Sequence, residues 1–124
     1  MSTHIGFDLV AVEEIQRALL EHGEQYLRRV YTARELTESR RSPRRLAACF
    51  AAKEATMKAF GRADEDFDWC CIELARDTPD GAARIQLSGG AATVAKDKLV
   101  ERIEITTTYR CDHAAAIVTI KGGR

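Results

Sequence analysis

The sequence predicts an α+β fold in which a mainly antiparallel sheet packs against one long buried helix. The first observation is the segment 46–61, which is rich in alanine and carries only three formal charges, Lys53, Glu54 and Lys58. A helix that is apolar almost all the way round is usually buried. The second observation is a set of short segments with β-branched residues near both chain ends, which favour strands. The third is the irregular order of helices and strands, which is typical of α+β proteins.

The first element is a strand over residues 4–10. Ile5, Phe7 and Leu9 alternate with other residues, as in a strand with one buried face. We therefore expect a short core strand with these three side chains on one face and His4, Gly6, Asp8 and Val10 on the other. Gly6 leaves space beside the Asp8 carboxylate, as is usual where a ligand or another backbone comes close.

Helices are predicted over residues 12–22, 24–30 and 43–60, with a short one between the last two. Gly23 can end the first helix. Thr32, with Glu35 three residues later, has the spacing of a capping box and starts the short helix. Pro43 lies in the first turn of the long helix, where its missing N–H costs least, and Gly61 ends that helix.

The second half of the chain is predicted to be mostly sheet. Residues 62–68 form an acidic loop after the long helix, and residues 78–81 have the composition of a turn. Ser88 is a candidate N-cap for a helix that ends near Leu99. The strands are predicted over residues 67–75, 83–87, 102–108 and 113–121.

Composition limits the class of protein. With 124 residues, 45% hydrophobic and 31% charged, the chain is expected to form one globular domain over residues 1–124. Its formal net charge is zero, which argues against a general nucleic-acid binder. No apolar run reaches membrane-spanning length and no signal peptide is recognisable, so a cytoplasmic location is expected. The four cysteines show no C-x-x-C or zinc spacing and are expected to be reduced thiols.

Two acidic residues far apart in the chain are candidate metal ligands. Asp8 lies on the first strand and Glu54 on the buried helix, where a carboxylate is costly unless a cation or metal compensates it. Hard oxygen ligands with open positions suit Mg²⁺. The second lysine near Glu54 indicates a further anion, such as a metal-bound phosphate ester. The alternatives are a turn-capping role for Asp8 and an ordinary i,i+4 ion pair between Glu54 and Lys58.

Two motifs carry a resemblance to a known family. The first is Gly6-x-Asp8, and the second is Phe50-Ala-Ala-Lys53-Glu54-x-x-x-Lys58-Ala-Phe-Gly61. In this order and spacing they resemble the holo-acyl-carrier-protein synthases, which are small stand-alone 4′-phosphopantetheinyl transferases. The similarity extends along the chain through Tyr31-Thr32-x-x-Glu35-Leu36, Trp69-x-x-Ile72-Glu73-Leu74 and Ala114-Ala-Ala-Ile-Val118.

The resemblance implies an activity, a metal and a co-substrate. Enzymes of this family move the phosphopantetheine arm of coenzyme A to a serine hydroxyl of an acyl carrier protein and release adenosine 3′,5′-bisphosphate. By motif, Asp8 and Glu54 would hold Mg²⁺ on the coenzyme A pyrophosphate, and Lys58 would contact the phosphates or the attacking serine. Lys53 is assigned to the same coenzyme A pocket. The serine proton would pass either to Glu54 or to a water on the metal.

An arginine-rich segment precedes the long helix. The resemblance assigns it to the 3′-phosphate of coenzyme A, a group that guanidinium side chains suit. The alternative is a solvated basic surface, which is the usual meaning of a charge run. The residues assigned to the cofactor are Arg40, Arg41, Arg44 and Arg45, with Tyr109 as a possible hydrogen-bond donor.

The resemblance also implies partners. Acyl carrier proteins present acidic helices, and Arg17, Arg28 and Arg29 on the early helices are candidates for contacting them. Solvated arginines would look the same in sequence. Members of the family are typically homotrimers with each active site at a subunit boundary, so a homotrimer is expected.

Four positions depart from the family pattern. Glu14 and Cys49 stand where the family commonly has arginines, Tyr109 lies in a region that lacks the usual histidine, and residues 61–64 replace a Gly-Thr-Gly run. A divergent transferase that serves a carrier protein of secondary metabolism would account for these differences. The alternatives are a non-catalytic module that binds a carrier protein, or an enzyme that uses the same coenzyme A pocket for other chemistry.

Overall fold

The computed structural model describes residues 2–61, 68–78 and 81–123. Within these ranges the chain forms five strands, five α-helices and one 3₁₀ turn. In chain order they are β1 (Ser2–Ala11), α1 (Val12–His22), α2 (Glu24–Val30), α3 (Ala33–Ser39), α4 (Pro43–Ala59), the 3₁₀ turn (Trp69–Cys71), β2 (Ile72–Arg76), β3 (Ala83–Leu87), α5 (Gly89–Asp97), β4 (Val100–Tyr109) and β5 (His113–Gly122).

Both sheets are antiparallel. The larger has the strand order β1-β5-β4, and the smaller pairs β2 with β3. The predicted α+β fold with a mainly antiparallel sheet is therefore confirmed. In the register of β1 and β5, Gly6 lies opposite Val118 and Asp8 lies opposite Ala116. Asp8 is thus held in the middle of the longest strand pair rather than on a loop.

Helix α4 lies across one face of the larger sheet, against β1 and β5. Its predicted burial is confirmed, since Leu46, Ala51 and Ala55 are fully buried. Small side chains let the helix come very close to the strand. A Cβ atom at Gly6 would lie 1.9 Å from the carbonyl oxygen of Ala55, so only glycine fits there. This close approach brings the C-terminal half of α4 next to Asp8.

Gly6→Ala is expected to destabilise the protein by about 3 kcal/mol, because the added methyl group meets backbone that no rotamer change can move. Urea denaturation measures the loss. Gly123→Ala is the matched control, since its new Cβ would lie 3.5 Å from the Leu99 side chain, an ordinary contact. A Gly6→Ala protein as stable as the wild type would contradict the packing described here.

The structure has the two predicted faces of β1 and shows which of them is buried. Ile5, Phe7 and Leu9 are 66%, 52% and 58% exposed, whereas Gly6 and Asp8 face α4 and are buried. Alternation in the sequence defines the two faces but does not say which one the helix covers. Helix α4 covers the face of β1 on which Gly6 allows close contact. The opposite face is therefore an exposed apolar surface.

The predicted start of α3 is confirmed in atomic detail. The Glu35 backbone N–H donates to the Thr32 hydroxyl oxygen at 3.1 Å, and the Thr32 N–H donates to a Glu35 carboxylate oxygen at 2.9 Å. This reciprocal pair is the capping box. It also fixes the Glu35 carboxylate at the buried end of the helix.

The strand predicted over residues 67–75 starts later than expected. Trp69–Cys71 form a 3₁₀ turn, in which the Asp68 carboxylate accepts a hydrogen bond from the Cys70 N–H at 3.0 Å. Cys70 and Cys71 therefore lie in this turn and not on the strand. Residues 62–67 of the predicted acidic loop and residues 79–80 of the predicted turn lie outside the described residues.

The remaining expectations concern helix ends, cysteines and membranes. Ser88 occupies the N-cap position of α5, but its side chain makes no capping hydrogen bond. All four cysteines are free thiols, as predicted. Across residues 2–61, 68–78 and 81–123, no helix has both the length and the apolar character needed to cross a membrane.

Candidate active site

Asp8 meets helix α4 at the centre of the candidate site. Its carboxylate oxygen Oδ1 accepts a hydrogen bond from Lys58 Nζ at 2.8 Å. The same ammonium lies 3.3 Å from the carbonyl oxygen of Phe7. The bond to Asp8 raises the pKa of Lys58, which keeps this half-exposed amine protonated. Lys58 therefore places a half-exposed positive charge beside Asp8.

Glu54 lies one helical turn before Lys58 and is partly buried. Burial raises the pKa of Glu54, and the neighbouring Asp8 and Glu14 carboxylates raise it further, whereas Lys58 opposes the shift. Among the described residues no salt bridge joins Glu54 to Lys58, whose ion pair is with Asp8. The ordinary i,i+4 pair considered from sequence is therefore not what forms here. Two carboxylates repel each other beside one lysine.

The donor set fits a magnesium ion bound partly by substrate. Asp8 and Glu54 offer hard oxygen ligands from two elements, and the described part of the chain contains no cluster of three or more His, Cys, Asp or Glu residues that could hold a metal. The described residues therefore do not form a metal site made of protein ligands alone. Mg²⁺ is usually held by about one or two carboxylates, with phosphates and waters filling its other positions.

The structure corrects the assignment of Lys53 to the coenzyme A pocket. The side chains of Lys53 and Glu35 are both buried, with 0% exposed. Lys53 Nζ lies 2.8 Å from Glu35 Oε1. Nζ also donates to the carbonyl oxygens of Trp69, at 3.1 Å, and Ile72. Lys53 therefore binds α4 to α3 and to the start of β2. Lying about 100° around the helix from Glu54, it points into the core instead of the site.

The arginine-rich segment divides between two environments. Arg40 and Arg45 line a cleft of about 540 Å³ together with Tyr109. Arg45 Nε donates to the Tyr109 hydroxyl oxygen at 3.4 Å. Arg41 instead pairs with the Glu24 carboxylate on α2. Arg44 is exposed in the first turn of α4 and is not part of the cleft wall.

A sequence model of the family described as the 4′-phosphopantetheinyl transferase superfamily matches residues 4–117. The chain belongs to this family. A holo-[acyl-carrier-protein] synthase from Verminephrobacter eiseniae is 34% identical over 94% of this chain and 92% of its own length. One from Caldanaerobacter subterraneus subsp. tengcongensis is 29% identical over 99% and 98%. The solved Chronobacterium ammoniagenes ACPS–CoA complex shares the fold, with a TM-score of 0.87, 24% identity and coverage of 100% of both chains.

In this transferase-family chain, the candidate partner-binding arginines lie on α1 and α2. Arg17 pairs with Glu13 at 3.1 Å, and Arg28 lies 3.6 Å from Glu24. Arg29 is exposed. Two of the three positive charges are thus partly neutralised by glutamates of their own helices.

Sequence reasoning missed two residues, one beside the candidate carboxylate pair and one in the cleft. Glu14 is close enough to Glu54 to raise its pKa, although sequence indicated only a changed docking charge. Arg76 ends strand β2 and lines the same cleft as Arg40 and Arg45. No motif or spacing in the sequence marks either residue, because tertiary contacts bring Glu14 beside Glu54 and Arg76 into the cleft.

Proposed function

We propose that the protein is a holo-acyl-carrier-protein synthase, which transfers the 4′-phosphopantetheine arm of coenzyme A to a serine of an apo acyl carrier protein and releases adenosine 3′,5′-bisphosphate. The observation that carries this proposal is the meeting of Asp8, Glu54 and Lys58, from two distant segments, in a chain of this transferase family. Synthases of that name match nearly the whole chain. The relevant domain is taken to be the single unit 1–124, working in the cytoplasm.

The residues have separable roles in this proposal. Asp8 and Glu54 hold Mg²⁺, which supplies electrostatic neutralisation of the coenzyme A diphosphate. Lys58, whose ammonium is half exposed, turns to the phosphates and offers a point charge to the leaving group. The serine proton goes to Glu54 or to water.

The coenzyme A contacts proposed here are Arg40, Arg45 and Tyr109, which share the cleft. This cleft also includes Cys49, five residues before Glu54 on α4. Five residues separate two positions by about 140° around a helix, so the cleft and the carboxylate pair face different directions. At a subunit boundary, the cleft of one chain can face the carboxylate pair of the next chain. Both can then contact the same coenzyme A molecule. Arg17, Arg28 and Arg29 are the proposed contacts to the carrier protein.

The exposed face of the larger sheet supports the proposed homotrimer. Ile5, Phe7 and Leu9 from β1 and Ile117 from β5 are 47–66% exposed and lie together on this face. Apolar surface of this kind gains about 25 cal/mol for each Å² removed from water. A contiguous exposed apolar face is a common mark of an interface.

Phe7→Glu is expected to dissociate the assembly, because it would place a charge in the middle of the apolar face. Size-exclusion chromatography with light scattering should show the wild type at three times the 13.8 kDa of one chain, and the variant at 13.8 kDa. Leu20→Glu is the control, since Leu20 is 89% exposed on α1, away from the sheet. A monomeric wild type, or a trimeric Phe7→Glu protein, would contradict the proposed interface.

The proposed activity is tested by incubating the protein with coenzyme A, Mg²⁺ and an apo acyl carrier protein. Intact-mass spectrometry should show that the carrier gains one phosphopantetheinyl group. If coenzyme A stabilises the fold but no carrier is modified, the protein uses the pocket for other chemistry. If only a carrier protein binds, the chain is a non-catalytic binding module. Either result would overturn the proposed transfer.

A further inference from the structure

Glu14 places a third carboxylate beside Asp8 and Glu54. It lies in the first turn of α1, shortly after β1 ends, and its side chain is exposed. Its neighbours Val12 and Ile15 are buried in the core that α4 also joins. Burial raises the pKa of Glu54, and the Asp8 and Glu14 carboxylates raise it further, so Glu14 lies within electrostatic reach of Glu54. Carboxylates from β1, α1 and α4 therefore come together at the candidate site.

The negative charge of Glu14 is not balanced by the part of the chain that the structure describes. Within residues 2–61, 68–78 and 81–123, no lysine, arginine or histidine nitrogen lies within 4.0 Å of the Glu14 or Glu54 carboxylate. Lys58 is bound to Asp8 instead. The other glutamates of α1 and α2 do have partners: Glu13 with Arg17 at 3.1 Å, Glu21 with His22 at 3.8 Å, and Glu24 with Arg28 at 3.6 Å and with Arg41. The Glu14 charge is therefore available to a ligand.

The hydroxyl of Tyr26 adds a hydrogen-bond acceptor near the same carboxylates. The Tyr31 hydroxyl donates its proton to the Leu46 carbonyl oxygen at 3.2 Å, so Tyr26 is the donor in the 2.8 Å bond between the two hydroxyls. The Tyr26 oxygen therefore keeps a free lone pair. Burial raises the pKa of Tyr26 against the opposing bond to Tyr31, and the Glu14 and Glu54 charges raise it further, so Tyr26 stays a neutral phenol. Two carboxylates and a phenol oxygen, all acceptors, match a ligand that donates hydrogen bonds, such as an ammonium or guanidinium group.

Two other roles explain Glu14 less well. A carboxylate in the first turn stabilises a helix through its macrodipole, but Glu13 lies in the same turn and does so equally. The second role is a third metal ligand. The described residues contain no group of three His, Cys, Asp or Glu side chains placed to hold an ion, so Glu14 does not join Asp8 and Glu54 in one. The charges of a diphosphate and a divalent ion nearly cancel, so Glu14 stays unbalanced when both are bound.

We propose that Glu14 determines which carrier protein the enzyme accepts, by selecting a carrier with a lysine or arginine beside its acceptor serine. The inference rests on the proposed function, which brings that serine to Asp8 and Glu54. A cation at this place meets the Glu14 carboxylate and the Tyr26 oxygen, whereas an acidic residue is repelled. Acidic groups elsewhere on the carrier still suit the exposed Arg29 of α2. The expected partner therefore carries both signs of charge, with the positive one next to the serine.

The test uses two apo carrier proteins that differ only in charge. One is an acyl carrier protein with acidic residues beside its serine, and the other is the same protein with those residues changed to lysine. Transfer is followed by intact-mass spectrometry at saturating coenzyme A and Mg²⁺, and carrier binding by calorimetry without coenzyme A. The wild type should favour the lysine carrier by about 5- to 20-fold in kcat/KM, mainly through the KM for the carrier, and less at high salt.

Variants of α1 assign the preference to one side chain. Glu14→Gln should remove most of it and Glu14→Lys should reverse it, while the KM for coenzyme A stays unchanged. Glu14→Asp should keep part of it, because the charge remains. Glu13→Gln is the matched control, since Glu13 is exposed in the same turn but is paired with Arg17. This control should prefer the lysine carrier as the wild type does.

The outcomes separate this inference from the proposed function. A wild type that treats both carriers alike would overturn the inference, as would a Glu14→Gln protein that keeps the preference. Equal losses on both carriers with a higher Mg²⁺ requirement would also overturn it, by making Glu14 a support of the metal site. Loss of the assembly in Glu14→Lys, seen by light scattering, would assign Glu14 to an interface between copies instead. A binding preference through Glu14 without transfer would support the inference and refute the transferase, whereas transfer without preference would do the reverse.

Discussion

Glu54→Gln is expected to abolish phosphopantetheine transfer while the fold stays intact. Glutamine is a weak, uncharged ligand, so the variant loses the charge that would hold Mg²⁺ on the diphosphate. Several kcal/mol of transition-state stabilisation depend on a metal in such reactions, which corresponds to a loss of about a thousandfold in rate. Folding should not suffer, because burial and Asp8 both raise the pKa of Glu54 and so disfavour its charge.

The measurement pairs a transfer assay with thermal unfolding of the same sample. Glu101→Gln is the matched control, since Glu101 is exposed on β4. It should keep both rate and stability. A Glu54→Gln enzyme with wild-type turnover would remove Glu54 from the site, and a variant that loses its fold would make Glu54 a structural residue.

Lys53→Met is expected to cause the largest loss of stability, about 3–5 kcal/mol, which is typical when one partner of a buried ion pair is removed. The Glu35 carboxylate would remain in the core without its cation. Two carbonyl oxygens, of Trp69 and Ile72, would lose their donor as well. Urea denaturation at neutral pH measures the effect.

The loss should depend on pH with a predictable sign. Burial raises the pKa of Glu35 and Lys53 lowers it, so removing Lys53 raises it further. A carboxyl whose pKa is higher in the folded state takes up a proton on folding, so its stabilising effect is full at low pH and is lost as pH rises through the folded-state pKa. Lys53→Met should therefore lose more stability at pH 8 than near the ordinary glutamate pKa of about 4.3.

A double variant separates the pair from its surroundings. In Lys53→Met/Glu35→Gln no buried charge remains, and the glutamine can still accept the Leu74 N–H that Glu35 binds at 2.9 Å. The double variant should be more stable than Lys53→Met alone, and its stability should vary less with pH. A single variant that unfolds like the wild type would show that the buried ion pair contributes nothing.

The parts of the fold that sequence predicted well depend on local chemistry. The Thr32 and Glu35 capping box, the proline start of α4 and its alanine-rich interior each act within a few residues. Alternation predicted the two faces of β1 but not which one is buried, because that depends on which face α4 covers. That choice depends on the fit between Gly6 and the Ala55 backbone, a contact between segments about 50 residues apart.

In the candidate site, too, some residues could be predicted from sequence and others are determined by tertiary packing. Asp8, Glu54 and Lys58 were singled out from sequence, and the structure brings them together, although their roles stay predictions. Lys53 was misassigned because its buried partner, Glu35, lies on another helix. Arg76 was missed because nothing in its own neighbourhood distinguishes it from a solvated arginine. Side-chain partners, unlike helix caps, are decided by packing.

The central claim is that two carboxylates from β1 and α4 hold one divalent ion against a diphosphate. A crystal of the protein grown with coenzyme A and Mn²⁺, measured for the anomalous signal of manganese, tests it directly. The account predicts one peak at about 2.1 Å from oxygens of both Asp8 and Glu54 and from the coenzyme A diphosphate. A peak bound by other residues, or coenzyme A bound with Lys58 still on Asp8 and no ion between the carboxylates, would contradict it.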